Sequence, residues 1–234
     1  MNPELLEARP AADERSNPAQ PLPFSVSVAR TTEDLAELVG VRSTAYARHN
    51  APGAARLSRA EEQDHGDDAI LVMARSKLNG SVVGSVRIQT RLLRPLMVES
   101  ATPLPAEFIN GTPIELMRGS VRSGVVGKMV SAALAKASYQ ISKTCDFSHI
   151  IVTCREPVHL MYRAYQFDDL LDGAMVDLPY SPGAKHKVLS LRIREAEARW
   201  IERNPALFRF MVLTPHPDIA IDYDYVFHRL KNAA

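Results

Sequence analysis

Cysteine is scarce in this chain: Cys145 and Cys154 are the only two in 234 residues. Two thiols cannot build the disulfide framework of a small secreted domain, and a reducing, cytoplasmic setting is the simpler expectation. Nor can they complete a zinc site, because no His pair stands at ligand spacing near either; no metal is expected. There is no run of about 18 apolar residues, so no spanning helix is expected. The first residues are acidic and proline-rich where an export signal would be apolar. Charge of neither sign dominates, with 28 Lys and Arg against 27 Asp and Glu. The broad basic field of a nucleic-acid binder is therefore missing, and no such partner is expected. No internal repeat is visible.

What is present suits one soluble domain with extensions. The chain is 46% hydrophobic and 24% charged, ordinary values for a globular protein long enough to bury a core. Residues 1–23, rich in proline, read as a disordered or loosely ordered arm. Residues 24–204 read as the folded domain, and 205–234 as an extension without a clear place. Within the domain, the alternation from Phe24 to Ala29 predicts a strand. Thr31 or Thr32 then caps a helix that runs to a break at Asn50-Ala51-Pro52-Gly53. Strands follow at Ile70–Ala74 and Val82–Ile88, joined by a hairpin turn at Asn79-Gly80. Residues 92–111 read as a long connection. A strand at Ile114–Val121, a glycine loop, a helix from Val125 to Lys143 and a strand at His149–Cys154 come next. Pro157 opens a short helix to Tyr165. A late strand (Val188–Arg194) and a charged helix (Glu195–Arg203) complete the domain. This order predicts an α/β (α+β) fold: a mixed, mostly antiparallel sheet flanked by helices.

Four groups of residues could carry chemistry. The loop Arg122-Ser123-Gly124-Val125-Val126-Gly127 opens a helix, whose N-terminus offers unpaired N–H groups and a partial positive charge to a phosphate. Val121, Arg122, Gly124, Gly127 and Lys128 would form that seat, although glycines in such loops more often serve turn geometry alone. Glu115 and Arg118 lie three apart on a strand and fall on opposite faces unless a bulge intervenes. Asp64 and Asp67, with Glu62 before them, form an acidic stretch. Such stretches are commonly solvated surface, but Arg42 and Arg87 are cations that could pair with them. Tyr162 could give a proton to a leaving group, although Tyr165 could do the same and most helix tyrosines simply pack. Ser120 and Ser123 have no His at a persuasive spacing, so a serine nucleophile is not expected.

Taken in order, Arg42-Ser43-Thr44-Ala45-Tyr46, Glu62/Asp64/Asp67, Val83-Gly84-Ser85-Val86-Arg87 and Glu115-Leu116-Met117-Arg118 resemble the acyl-homoserine-lactone synthases and the bacterial long-chain N-acyl amino acid synthases. The stretch His159-Leu160-Met161-Tyr162, with Phe167 after it, is more similar to the second family. The resemblance spans about Val28 to Phe167. It implies a GNAT-like sheet with a splayed strand pair near Val121 and Ile151. It further implies an N-acyltransferase that takes an acyl group, long-chain by this resemblance, from an acyl carrier protein or acyl-coenzyme A and places it on an amino acid or related amine. Glu115 would be the base and Tyr162 the acid, while Arg42, Asp64, Asp67, Arg87 and Arg118 would form the acceptor side. Val125 stands where the usual phosphate loop has its first glycine, which fits an acyl-phosphopantetheine donor better than coenzyme A. An acidic carrier protein would dock on basic residues, with Arg91, Arg94, Arg122 and Lys128 as candidates. An apolar tunnel could draw on Met117, Met129 and Leu134. The readings that compete with this one are a lactone synthase, a coenzyme A-dependent N-acetyltransferase and a GNAT-like domain that binds without turnover.

Overall fold

The computed structural model describes residues 18–48, 51–179, 181 and 183–233. Most of the expected N-terminal arm lies outside these residues. Its end, 18–23, is anchored at Leu22, which is buried while its neighbours are exposed, and whose N–H donates to Asp218 Oδ2 at 2.7 Å.

The sheet begins with β1 (Phe24–Val28), β2 (Ala69–Ser76), β3 (Val82–Thr90) and β4 (Pro113–Val121), each antiparallel to the one before. β5 (His149–Cys154) runs parallel to β4, and β8 (Lys185–Arg192) antiparallel to β5. Two short strands, β6 (Asp168–Asp169) and β7 (Val176–Asp177), pair with β8. The hairpin turn falls where Asn79-Gly80 predicts it, with Gly80 at φ +71°, a backbone region that glycine enters without steric cost.

Strand periodicity divides the apolar side chains between two layers. Ile70, Val72, Ile88, Ile114, Leu116, Ile150 and Val152 face α5 (Val125–Thr144) and α7 (Ile193–Arg203). On the other side, Leu71 and Met73 meet Leu38 and Val41 of α1 (Thr32–Ala47). Thr31 caps α1 through Asp34 N, and Asp34 returns the bond to the cap backbone, so both orphan donors are satisfied. The expected break after α1 holds a short helix, α2 (Ala51–Arg56), while Asn50 lies outside the described residues. The acidic stretch carries one turn, α3 (Glu62–His65).

The long connection is ordered and partly buried. Residues 97–100 form a 3-10 turn and Ala106–Ile109 form α4, and Leu96, Val98, Leu104 and Phe108 pack against Ile151 and Val188. The late strand starts at Lys185, three residues before its predicted start, and hands over to α7 at Ile193. The short helix α6 (His159–Ala164) begins two residues after Pro157.

The tail beyond 204 also has a fixed place. It forms α8 (Pro205–Phe208), a π-helical turn at 209–213 and α9 (Tyr223–Ala233), and Ile219 bridges Val26 of β1. The buried Lys136 of α5 holds it: Nζ donates to Phe210 O (2.8 Å) and Thr214 O (2.6 Å) and lies 2.9 Å from His216 Nδ1. No helix among the described residues is long and apolar enough to cross a membrane. Lys136→Met would leave the carbonyls of Phe210 and Thr214, the second of them buried, without this donor. It is expected to lower unfolding free energy by about 2 kcal/mol in urea titrations and to speed proteolysis within the tail.

Candidate active site

Four residue pairs, from Pro113–His149 to Leu116–Val152, hold β4 to β5. Beyond them the ladder ends, with the last residues of β4 (to Val121) on one side of the gap and those of β5 (to Cys154) on the other. Ile151, near the expected splay, is still paired with Glu115, and the opening begins after the next pair, Leu116–Val152.

A bulge lies beside it. Arg87 is opposite Met117 but Ser85 is opposite Ser120, so β4 carries an extra residue, and Arg118 has φ +56°. A bulge reverses which face the following side chain takes. Arg118 therefore reaches the acidic stretch on the same side as Arg87 and Met117, both of which lie on the Glu115 face.

That side holds a buried ion cluster. Arg42 grips Asp64 with two bonds (2.8 and 3.0 Å), and Arg87 Nη1 donates to Asp64 Oδ1 (3.0 Å) and Glu61 Oε2 (3.1 Å). Arg118 grips Glu61 with two bonds of 2.6 Å. Burial works to raise the Asp64 pKa, but the bonds and charge of Arg42 and the charge of Arg87 outweigh it and hold it at about 2. Glu61 is likewise lowered: burial opposes, and Arg118 wins. Sequence reasoning missed Glu61 in favour of its neighbour Glu62, which is exposed and pairs with Arg94. Asp67 does not join the cluster either. It faces outward, 3.7 Å from Arg229, and the next residue, Asp68, is the buried one, accepting from Gln89 and Arg94.

The gap opens into a cavity of about 400 Å³. Leu116, Met117, Leu134, Val158, Met161 and Leu178 give it an apolar body, while Met129 is exposed and stands away from it. Its cations are Arg48, Arg118 and Arg155, joined by His186, and no carboxylate lines it among the described residues. Arg48 Nη2 donates to Val121 O at 2.6 Å, which fixes the end of β4.

Glu115 lies behind the wall of this cavity. It is fully buried, with Oε2 accepting from Val98 N (3.0 Å) and Oε1 from Thr153 Oγ1 (3.3 Å). Burial, outweighing these bonds and Arg87, lifts its pKa to about 7. Thr153 does line the cavity and links Glu115 to it. Tyr162 lines it directly; burial, then Cys154 and Tyr46, push its phenol well above the ordinary value, so it stays protonated. Burial, then Asp169, push Cys154 up to about 12, which leaves a thiol unsuited to nucleophilic attack.

Of the proposed phosphate seat, Val121 lines the cavity, while Arg122, Gly124 and Lys128 are exposed beyond it at the start of α5. Gly124 has φ +116°, and a Cβ on Gly127 would lie 2.6 Å from Arg122 O. Both glycines are thus required by the turn itself. No group of three or more His, Cys, Asp or Glu is placed to hold a metal among the described residues.

No protein-family model matches this sequence, and no curated protein matches it. Solved structures do. FeeM, an N-acyl amino acid synthase from uncultured soil microbes, superposes with a TM-score of 0.57 at 12% identity, over 75% of this chain and 93% of its own. BjaI, a coenzyme A-dependent acyl-homoserine lactone synthase, gives 0.59 at 14% identity, over 89% and 99%. A protein assigned to the GNAT acetyltransferases, from Desulfovibrio desulfuricans, gives 0.52 at 13% identity, over 73% and 99%. The fold is GNAT-like. Identities this low establish the architecture and leave the chemistry to the site.

Asp64→Asn would remove the carboxylate that Arg42 grips with two bonds and leave it only Glu61 at 3.6 Å, and about 3–5 kcal/mol of stability is expected to be lost. Asp64 has a folded pKa below its unfolded value, so its stabilisation is complete above about pH 4 and disappears as pH falls toward 2. Urea titrations across that window are expected to show a flatter acid limb in the variant.

Proposed function

We propose that this chain moves an acyl group from a thioester donor to the amine of an amino acid or related small molecule. The observation that carries the reading is the gap between β4 and β5 and the cavity it opens. An extended pantetheine arm needs room between two strands and backbone to run along, and the β4–β5 ladder stops at Leu116–Val152, before the ends of both strands. A backbone N–H near Val121 would polarise the thioester carbonyl, and the apolar lining suits a fatty acyl chain. Tyr162, held as a phenol, would protonate the departing thiolate.

An acyl carrier protein is the favoured donor. Arg122 and Lys128 are exposed beside the cavity and offer a basic surface for an acidic carrier. Arg91 and Arg94 are already engaged with Glu99, Asp68 and Glu62, so they contribute less. The buried ion cluster would shape the acceptor side by fixing Arg118 in the cavity wall.

The test is mass spectrometry of extracts from cells that express the chain, followed by assays of purified protein with acyl carrier protein or acyl-coenzyme A thioesters. N-acylated amino acids are expected, and Tyr162→Phe should lower kcat by about 10²-fold. Leu134→Trp should shorten the accepted acyl chain. If neither donor yields an acylated amine, the reading fails.

A further inference from the structure

We infer that His186 removes the proton from the acceptor amine, and that Glu115 does not touch the substrate. This rests on the acyl-transfer reading above and names a catalytic residue within it.

An amine arrives at neutral pH as an ammonium ion and cannot attack until it loses a proton. A base for that step must be open to the cavity with a lone pair to offer. Glu115 fails on geometry, because it is sealed off and both its oxygens already accept hydrogen bonds. His186 meets the requirement. It lines the cavity, and its Nδ1 stands 2.8 Å from Ala184 O. A carbonyl only accepts, so the ring proton is on Nδ1 and the lone pair is on Nε2. Nε2 makes no hydrogen bond among the described residues and is not a sealed atom.

The register places this lone pair on the required side. Thr153 is opposite Val188, and His186 lies two residues from Val188 on the same face of β8. His186 and Thr153 are thus diagonal neighbours at the mouth of the gap, on the face away from α5. Burial favours the neutral ring, and Arg155 beside it adds to that preference. The other charged group that acts on it is Asp177 of β7, which is paired with Lys185 and works weakly the other way. The other titratable groups lining the cavity are Tyr46, Arg48, Arg118, Cys154 and Tyr162, and none of them is a carboxylate.

The protons balance. His186 Nε2 takes one proton from the ammonium and later releases it to solvent. The free amine attacks the thioester carbon, and the C–N bond forms. As the tetrahedral intermediate collapses, the C–S bond breaks, Tyr162 gives its proton to sulfur, and the phenolate recovers one from the new amide nitrogen. Ammonium and thioester become amide, thiol and one released proton.

The experiment is a pH profile of kcat/KM for the wild type, His186→Gln, His186→Ala and Glu115→Gln. The wild type should show an ascending limb with a pKa below the ordinary histidine value. His186→Gln should lose that limb and at least about 10²-fold in kcat/KM, with KM for the donor unchanged. His186→Ala should regain activity when imidazole is added. Glu115→Gln should keep the limb, whatever its rate. The inference is overturned if His186→Gln retains the limb, or if Glu115→Gln is the variant that abolishes it. A wild-type enzyme inert toward every amine would sink the acyl-transfer reading and this one together. A His186→Gln enzyme with the wild-type kcat/KM would sink this one alone.

Discussion

The ladder between β4 and β5 stops after Leu116 and Val152, and every candidate catalytic group is arranged around that stop. Parallel strands that stay paired leave no room for a ligand between them. Here the bulge at Arg118 turns β4 away while β5 continues toward β8. Arg118 is held in its left-handed backbone conformation by its two bonds to Glu61. Glu61 is in turn shared with Arg87, and Arg87 shares Asp64 with Arg42. The charges thus act as a brace for the opening. Three arginines against two carboxylates leave one positive charge in excess. A buried cluster of this kind contributes little net stability over an apolar core of equal volume; its value lies in fixing where the side chains stand.

Much of the architecture was legible in the sequence because it rests on local periodicity. Alternation marked β1, the turn at Asn79-Gly80 marked the β2–β3 hairpin, the apolar run marked β5, and helical spacing put Met129, Val130, Ala133, Leu134, Ala137 and Ile141 on one face of α5, where all but Met129 are buried. The tail was not legible. Its anchor, Lys136, sits within an apolar helix face, and its partners are backbone carbonyls more than 70 residues away. Short strands such as β6 and β7 have no period to read, since two residues define none.

The site was legible in composition more than in register. Arg42, Asp64, Arg87 and Arg118 do come together, but the choice between adjacent acids depended on the start of a single helical turn. That turn puts Glu61 inward and Glu62 outward, and the start of β2 buries Asp68 instead of Asp67. The bulge that brings Arg118 round to the Glu115 face leaves no trace in the sequence. His186, between two lysines, reads as surface. Its inward aspect exists only because β8 pairs with β5, 32 residues away, so that His186 shares a face with Thr153.

The edges of the sheet carry one more consequence. β1 is flanked on its outer side by residues 215–220, which bond Gln20 and Val26 and bridge Ile219 to it. At the opposite end, β8 is covered by β6 and β7, each two residues long. A sheet whose margins are occupied or too short to template another strand resists joining a second sheet edge to edge. Fibrillar stacking and strand exchange between copies would first require the tail to peel away from β1, so the clamp at Lys136 also guards the protein against aggregation.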